Sequence, residues 1–377
     1  MLTGLEVLLE DVTTLHKKQV ALLTNPTGVT SVLQQNVAAL RAAGVNVVTL
    51  FSPEHGFGGA AAAGEKVSSS TFGDTGIPIH SLYGETRKPT REMLVNIDVL
   101  LYDLQDVGVR FYTYTATLIL AMQACAECEV ALMVLDRPNP IRADIVEGPV
   151  MLPEFESFLG YGAIPLRYGL TIGELARFYA QASGFDNLTV IAMRGWQRDH
   201  WYDNTGCVWV APSPNMPHAH TAALYPGMGL AGEGASYSIG AATPLPFERI
   251  GAPWVNGDHL ATRLNAINIP GVRFRPTSFT PTAPQYAFAH ELCHGVQVHV
   301  TDRNVLRSVT LGLHIIACLK ALYPERWVWK ADHFDRLMGN DATRMQIDAG
   351  MPVADIVASW RPMQDAYLER ARSCQLY

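Results

Sequence analysis

Three short runs in the first ~140 residues are apolar at nearly every position: Val45–Phe51, Ile97–Tyr102 and Val130–Leu135. A strand that meets water on one face alternates apolar and polar residues, whereas a strand buried on both faces does not. These runs therefore belong to a sheet covered on two sides, and the stretches between them must supply the cover. Val32–Ala43 reads as an amphipathic helix closed by Gly44, and Phe111–Glu129 reads as a longer helix. Gln19–Thr24 adds a strand ahead of these, the first of four, followed by the turn Asn25-Pro-Thr-Gly. This alternation predicts an α/β fold with a Rossmann-like, doubly wound, mainly parallel sheet.

The same pattern continues with a helix at Thr171–Ser183, where Thr171 and Glu174 have capping-box spacing, and a strand at Leu188–Met193. Proline and glycine become dense between Pro212 and Pro253, which predicts discontinuous regular structure, an active-site wall and a hinge. Beyond it, His294–Val300 reads as a strand, Ser308–Leu322 as a helix, and Val353–Arg372 contains another helical stretch. A chain of 377 residues is too long for one ordinary core. The predicted division is a Rossmann-like catalytic domain over 1–235 and a second, smaller α/β domain over 236–377 that closes the cleft.

Several function classes are disfavoured. A formal net charge of −7 argues against a nucleic-acid partner. No stretch reaches the ~18 consecutive apolar residues of a membrane span. The opening residues have no basic region, long apolar region or small-residue cleavage site, so a cytoplasmic location without membrane insertion is expected. An exported chain whose leader had been removed would read the same way. No G-x-G-x-x-G follows the first strand, and there is no P-loop, H-E-x-x-H or G-x-S-x-G. His290-Glu291-Leu292-Cys293-His294 lacks zincin spacing, and Cys125 and Cys128 lie in a helix-like run, where reduced thiols are expected. The reading is thus an enzyme or binding protein with no cofactor and no metal.

Ligands of open α/β sheets bind beyond the carboxyl ends of the strands, and the unusual polar groups fall there. Glu54 and His55 follow the second strand in Ser-Pro-Glu-His-Gly. Asp103, Gln105, Asp106, Arg110, Tyr112 and Tyr114 follow the third, and Asp136, Arg137 and Asn139 follow the fourth. Each has a duller role available. Glu54 could cap a helix or form a structural salt bridge, and His55 could merely orient it. Asp103 or Asp106 could partner Arg110, and Asp136 and Arg137 could pair with each other or clamp a ligand carboxylate. Downstream, Asn215 sits in a proline-braced loop and Glu233 lies between two glycines, where it is a candidate for a second acid. Tyr83, Tyr112, Tyr114 and Trp209 could stack on a sugar or simply fill core.

In collinear order, the motifs Asn25-Pro-Thr-Gly, Phe51-Ser-Pro-Glu-His-Gly, Ser81-Leu-Tyr-Gly, Asp103-Leu-Gln-Asp-Val-Gly-Val-Arg-Phe-Tyr-Thr-Tyr and Leu135-Asp-Arg-Pro-Asn-Pro form a distinctive series. Glu147-Gly-Pro, Gly169-Leu-Thr-Ile-Gly-Glu-Leu-Ala, Trp209-Val-Ala-Pro-Ser-Pro-Asn-Met and Pro246-Phe-Glu extend it. The chain resembles the NamZ-like exo-β-N-acetylmuramidases, a glycoside hydrolase family earlier known as a domain of unknown function, DUF1343. The resemblance implies a Rossmann-like domain, a smaller C-terminal α/β domain and a site in the cleft between them. It also implies removal of N-acetylmuramic acid from the non-reducing ends of peptidoglycan-derived saccharides, with a muropeptide or muramic-acid oligosaccharide as substrate, in cell-wall recycling. The glutamate of Ser-Pro-Glu-His-Gly, Glu54, is its leading catalytic candidate. One departure stands out: where the family pattern places an arginine, this chain has Ala241, leaving Arg110 or Arg137 to compensate.

Glycoside hydrolysis needs a protonated acid at the leaving oxygen and a second group to manage the oxocarbenium-like centre. Glu54 is the predicted acid, in a pocket that excludes water. Asp106, Asp103, Glu233 or the substrate's own 2-acetamido oxygen could fill the second role, and retention or inversion stays open. Two other readings remain: a non-catalytic muropeptide-binding protein, suggested by Ala241, and a nucleotide-dependent oxidoreductase, which the missing glycine fingerprint disfavours.

Overall fold

The computed structural model describes residues 1–377. Its strands are β1 (Val20–Thr24), β2 (Val47–Ser52), β3 (Ser70–Phe72), β4 (Ile77–Ser81), β5 (Val99–Asp103) and β6 (Ala131–Leu135). They continue with β7 (Glu147–Val150), β8 (Pro165–Arg167), β9 (Leu188–Ile191), β10 (Arg249–Ala252), β11 (Val272–Phe279) and β12 (Cys293–Val300). The helices are α1 (Gly4–Glu10), α2 (Asn36–Ala42), α3 (Tyr114–Cys128), α4 (Ile172–Ser183), α5 (Ala219–Glu233) and α6 (Gly257–Ile267). They end with α7 (Ser308–Leu322), α8 (Ala331–Met338), α9 (Ala342–Asp348), α10 (Val353–Ser359) and α11 (Arg361–Arg372). No helix is long and apolar enough to cross a membrane.

The chain divides into two compact units: Met1–Ile145 with Gly169–Ala219 and Leu368–Tyr377, and Val146–Tyr168 with His220–Tyr367. The cut drawn at residue 235 from the sequence cannot represent this partition. The 146–168 segment joins the second unit and the last residues join the first, each bound there by polar contacts between residues far apart in sequence.

The first unit is the doubly wound layer. Its seven strands run in the order β3-β4-β2-β1-β5-β6-β9, parallel throughout except for the antiparallel β3/β4 edge. Every residue of β1 and of β5 is buried, as their apolar sequences require of strands covered on both faces. Leu22, Leu50, Leu101 and Leu135, one from each of four neighbouring strands, have no exposed surface and form part of one continuous core. The Thr171/Glu174 capping box of α4 is formed, with Thr171 N donating to Glu174 Oε2 at 3.0 Å and Glu174 N donating to Thr171 Oγ1 at 3.2 Å. Cys125 and Cys128 are free thiols on α3, and burial pushes the Cys125 thiol up to about 12.

Two helical expectations need correction. The helix read from Val32 begins only at Asn36. Residues 30–34 form a tight turn instead, in which Leu33 N donates to the Thr30 carbonyl, Thr30 N donates to the Gln34 carbonyl and Leu33 adopts φ +62°. Val32 and Leu33 are 80% and 52% exposed, so their apolar character marks no core face.

The proline- and glycine-rich stretch after Pro212 contains α5, a helix of 15 residues, despite Pro226 inside it. Its glycines serve packing rather than looping. A Cβ on Gly227 would fall 1.9 Å from the Ser308 carbonyl oxygen, and one on Gly312 would fall 2.4 Å from the Gly227 carbonyl oxygen. α5 and α7 thus meet backbone to backbone, where only glycine fits. Ser308 Oγ donates to the Leu224 carbonyl and accepts from Gly227 N, both at 3.1 Å, supplying polar partners beside the proline.

The second unit also holds the antiparallel sheet β10-β12-β11 and the hairpin β7-β8. In the hairpin, Glu147 takes a buried ion pair from Arg167 at 3.0 Å and accepts Ser308 N at the start of α7 at 3.1 Å.

Candidate active site

β1 and β5 lie side by side, with β2 beyond one and β6 beyond the other, so the winding reverses between them. At such a switch point the loops leaving the carboxyl ends part and open a crevice. Three of these loops carry the polar groups singled out in the sequence, and the structure sorts them into different roles.

Glu54 follows β2 in a turn closed by Gly56 N donating to the Pro53 carbonyl at 3.1 Å. His55 sits in this turn at φ +72°, a left-handed conformation that histidine tolerates better than most side chains. Its ring Nδ1 lies 2.8 Å from the Ala61 carbonyl, so the ring braces the loop. Glu54 is 7% exposed and accepts hydrogen bonds from Thr113 Oγ1 at 2.7 Å and Gly64 N at 2.9 Å. The Tyr83 hydroxyl is a third donor. Burial and the Glu54 carboxylate push that phenol up to about 12, so it remains a donor at any working pH. Arg87 stacks over the Tyr83 ring, 5.2 Å from its centroid. Tyr114, next to Thr113, places its hydroxyl between Asn25 Nδ2 at 2.7 Å and the Pro212 carbonyl at 2.6 Å. Its ring packs edge-on against Tyr112, with centroids 4.7 Å apart. Burial raises the Tyr114 phenol above its ordinary value, and the charges of the Glu54 and Asp106 carboxylates add to the shift.

Asp103 and Arg137 pair with each other. Arg137 Nε donates to Asp103 Oδ1 at 2.6 Å and Nη2 donates to Oδ2 at 3.1 Å, with the side chains 5% and 0% exposed. Asn36 Nδ2 also donates to Asp103 Oδ2 at 2.7 Å, and Arg137 Nη2 reaches the Val29 carbonyl at 3.2 Å. Gly28 is required for this crossing, since a Cβ there would fall 2.1 Å from Asn36 Nδ2. The pair ties the loop after β1 to the ends of β5 and β6. The amide nitrogens of Gln105 and Asn139 are likewise occupied by backbone: Gln105 Nε2 donates to the Asp106 and Pro138 carbonyls at 2.7 and 2.8 Å, and Asn139 Nδ2 to that of Leu170 at 2.9 Å, while Gln105 Oε1 is buried without a partner.

Asp136 does not pair with Arg137's guanidinium. Its carboxylate accepts Arg137 N at 3.0 Å, Thr171 Oγ1 at 2.7 Å, Gly173 N at 2.7 Å and the Tyr377 hydroxyl at 2.6 Å. Burial nevertheless raises its pKa to about 7. Asp136 therefore fastens α4 and the C-terminal residues to the end of β6.

Among the remaining candidates, Asp106 is buried, and its Oδ2 accepts Gly108 N at 2.6 Å. Arg110 has no exposed surface, and burial pushes its guanidinium downward. Arg137, the other arginine of this sheet end, is held by Asp103. Asn215 is partly exposed in the turn that Met216 N closes onto the Ser213 carbonyl. Trp209 donates Nε1 to the Met216 carbonyl at 3.1 Å and packs edge-on against Tyr202. Glu233 belongs to the second unit, at the end of α5, with His333 Nε2 3.6 Å from its carboxylate. It is a helix terminus rather than a loop residue. Sequence reasoning missed Thr113 and the Gly64 amide as partners of Glu54, and Asn36 as a partner of Asp103. Thr113 stood within the Phe-Tyr-Thr-Tyr motif, while nothing local marks Gly64 or Asn36.

A family model described as exo-β-N-acetylmuramidase NamZ, N-terminal, matches residues 20–220, and its C-terminal counterpart matches residues 223–377. The peptidoglycan β-N-acetylmuramidase NamZ of Bacillus subtilis (strain 168) is 42% identical over 379 residues, covering 100% of this chain and 91% of that protein. The crystal structure of a DUF1343 family protein from Bacteroides fragilis superposes with a TM-score of 0.91 at 38% identity, covering 100% of this chain and 98% of the other. A second DUF1343 protein from the same organism gives 0.79 at 29% identity with the same coverage.

Proposed function

The chain belongs to the exo-β-N-acetylmuramidase NamZ family, and from that premise we propose that Glu54 is the acid with which it cleaves terminal, non-reducing N-acetylmuramic acid from peptidoglycan-derived saccharides. It is a glycoside hydrolase whose substrate is a saccharide of peptidoglycan origin. The observation that carries the choice of Glu54 is its burial just beyond the carboxyl end of β2, where Thr113, the Gly64 amide and Tyr83 fix the position of its carboxyl group and favour the carboxylate that remains once a proton has been given up. As the glycosidic C–O bond breaks, the acid transfers its proton to the leaving oxygen; over the full cycle one water supplies the hydroxyl at the anomeric carbon, and its other proton restores the acid. The donors then hold the carboxylate left behind, so no reorganisation is needed at the moment of transfer.

Asp106 is the preferred protein group for the second role. Asp103 is consumed by Arg137 and Asn36, whereas Asp106 shares the neighbourhood of Tyr114 with Glu54. The substrate's 2-acetamido oxygen is the competing participant, and Asp106→Asn separates the two. Loss of turnover comparable to that of Glu54→Gln supports the carboxylate, and retained turnover supports the acetamide.

The test of Glu54 exploits leaving-group basicity. An N-acetylglucosamine leaving group needs a proton, whereas 4-nitrophenolate departs without one. Glu54→Gln should lose more than ~100-fold in kcat on a muramic-acid–glucosamine disaccharide and far less on 4-nitrophenyl β-N-acetylmuraminide. The corresponding N-acetylglucosaminide is the specificity control. Unchanged turnover of the disaccharide by folded Glu54→Gln would overturn the assignment.

A further inference from the structure

The three-stranded sheet of the second unit has one apolar and one cationic face. Ile250, Val272, Phe274, Val296 and Val298 are buried on the first. Alternation along the strands puts Arg249 of β10, Arg273 and Arg275 of β11, and Gln297 and His299 of β12 on the other. The register sets Gln297 opposite Arg249 on one side and opposite Arg275 on the other, with Arg273 opposite His299. The two outer arginines of the row stand two ladder spacings apart, about 10 Å at Cα.

None of the three arginines has an acidic partner within ion-pair distance. Arg275 donates Nη2 to Gln297 Oε1 at 2.8 Å and Nε to His299 Nε2 at 3.1 Å, and neither partner is a carboxylate. Arg273 donates to the backbone carbonyl of Val272 at 2.8 Å. Arg249 makes no side-chain hydrogen bond, and its Nε is shielded from solvent without an acceptor. Desolvation and the neighbouring Arg275 both push its guanidinium downward, and Glu248 offsets this only in part. Arg249 and Arg275 are like charges on either side of Gln297, an unfavourable placement even across the intervening strand. An unpaired, partly buried guanidinium adds a desolvation cost that an anion would relieve.

The surroundings of Arg249 also matter. Its Cβ lies 3.3 Å from the position a Cβ would take on Gly240. The segment around Gly240 is held to the edge of β10 by Ser238 and Gly251, which exchange backbone hydrogen bonds of 2.9 Å. The next residue, Ala241, is 2% exposed and supplies no charge. The cation beside this loop is Arg249.

We propose that this face is a carboxylate-binding site, in which Arg249 and Arg275 hold the acidic groups of peptidoglycan fragments. The inference rests on the peptidoglycan reading for the identity of its ligand. Two sources share that chemistry, the lactyl carboxylate of muramic acid and the carboxylates of the peptide stem.

Isothermal titration of the full chain separates them with three probes. N-acetylmuramic acid carries the free lactyl carboxylate, N-acetylglucosamine lacks it, and muramyl dipeptide ties it into an amide while adding a stem carboxylate. Arg249→Met and Arg275→Met should each weaken at least one acidic probe tenfold or more and leave N-acetylglucosamine unchanged. Arg249→Lys should recover part of the loss. Selective loss of N-acetylmuramic acid assigns the site to the lactyl group, and selective loss of muramyl dipeptide assigns it to the stem. Equal affinity of parent and variants for both acidic probes overturns the proposal, as does the absence of binding by the parent. Because the readout is binding, a parent that binds but does not hydrolyse would sink the muramidase reading alone. Normal hydrolysis with unaltered affinities would sink only the arginine face.

Discussion

Replacing Arg137 by methionine is the sharpest test of the division between structural and chemical residues at the sheet edge. The guanidinium is 5% exposed and gives Asp103, 0% exposed, two hydrogen bonds of 2.6 and 3.1 Å. Truncating one partner of such a pair leaves a buried charge uncompensated, which costs about 3–5 kcal/mol, against roughly 0–1 kcal/mol for an exposed pair. Asn36 still donates to Asp103, so the lower part of that range applies if the carboxylate relaxes toward it. In a unit of about 200 residues, each kcal/mol shifts the melting midpoint by roughly 2–4 °C, so a fall of about 6–20 °C is expected. Urea unfolding followed by far-UV circular dichroism supplies the free energy directly. The double variant Asp103→Leu/Arg137→Met should recover part of the loss, since it leaves no unpaired charge. An Arg137→Met protein that melts within about 2 °C of the parent yet has lost turnover would refute this reasoning and return Arg137 to the substrate.

Two further outcomes follow from the same geometry. Tyr83→Phe removes one donor to Glu54, and hydrogen bonds to charged groups contribute about 1.5–3 kcal/mol, so kcat should fall roughly 10- to 100-fold on the disaccharide with little change in melting midpoint; an unaltered kcat would remove Tyr83 from the site. Asp136 has a folded-state pKa of about 7, above its unfolded value of about 4, so the folded chain holds the extra proton in that window and stability falls as pH rises through it, by up to about 4 kcal/mol. Asp136→Asn should flatten the melting midpoint between about pH 5 and pH 7, and an unchanged slope would assign the effect to another group.

What the sequence revealed, and what it concealed, follows from the range of the interactions. β1, β2, β5 and β6 were legible because burial on both faces leaves a local mark, an unbroken apolar run. The cap of α4 was legible because Thr171 and Glu174 interact within one turn. Glu54 stood out through its motif, and the structure supplies partners from residues 64, 83 and 113. The roles of Asp103, Arg137 and Asp136 were not legible, because their partners, the adjacent Arg137 amide apart, lie 34 to 241 positions away along the chain. Adjacency in sequence suggested that Asp136 pairs with Arg137, yet the two guanidinium–carboxylate bonds go to Asp103 and Asp136 turns to Thr171, Gly173 and Tyr377. The helix α5 was concealed for a related reason: glycine and proline have the same local meaning in a loop and in a tight helix contact.

That contact has a kinetic side. Within α5, Gly227, Gly229 and Gly232 each cost roughly 1 kcal/mol of helix propensity relative to alanine, and Pro226 roughly 3 kcal/mol more. A peptide of this sequence would not hold a helix by itself, so α5 cannot serve as an early local seed for folding. It takes shape only as α7 arrives to meet Gly227 with Gly312, a partner 85 positions further along. The second unit therefore closes a long loop before this helix becomes stable, and the entropy of that closure has to be met by contacts made elsewhere in the unit. Until that closure the apolar face of α7 stays uncovered, and a newly made chain is most exposed to aggregation in this interval.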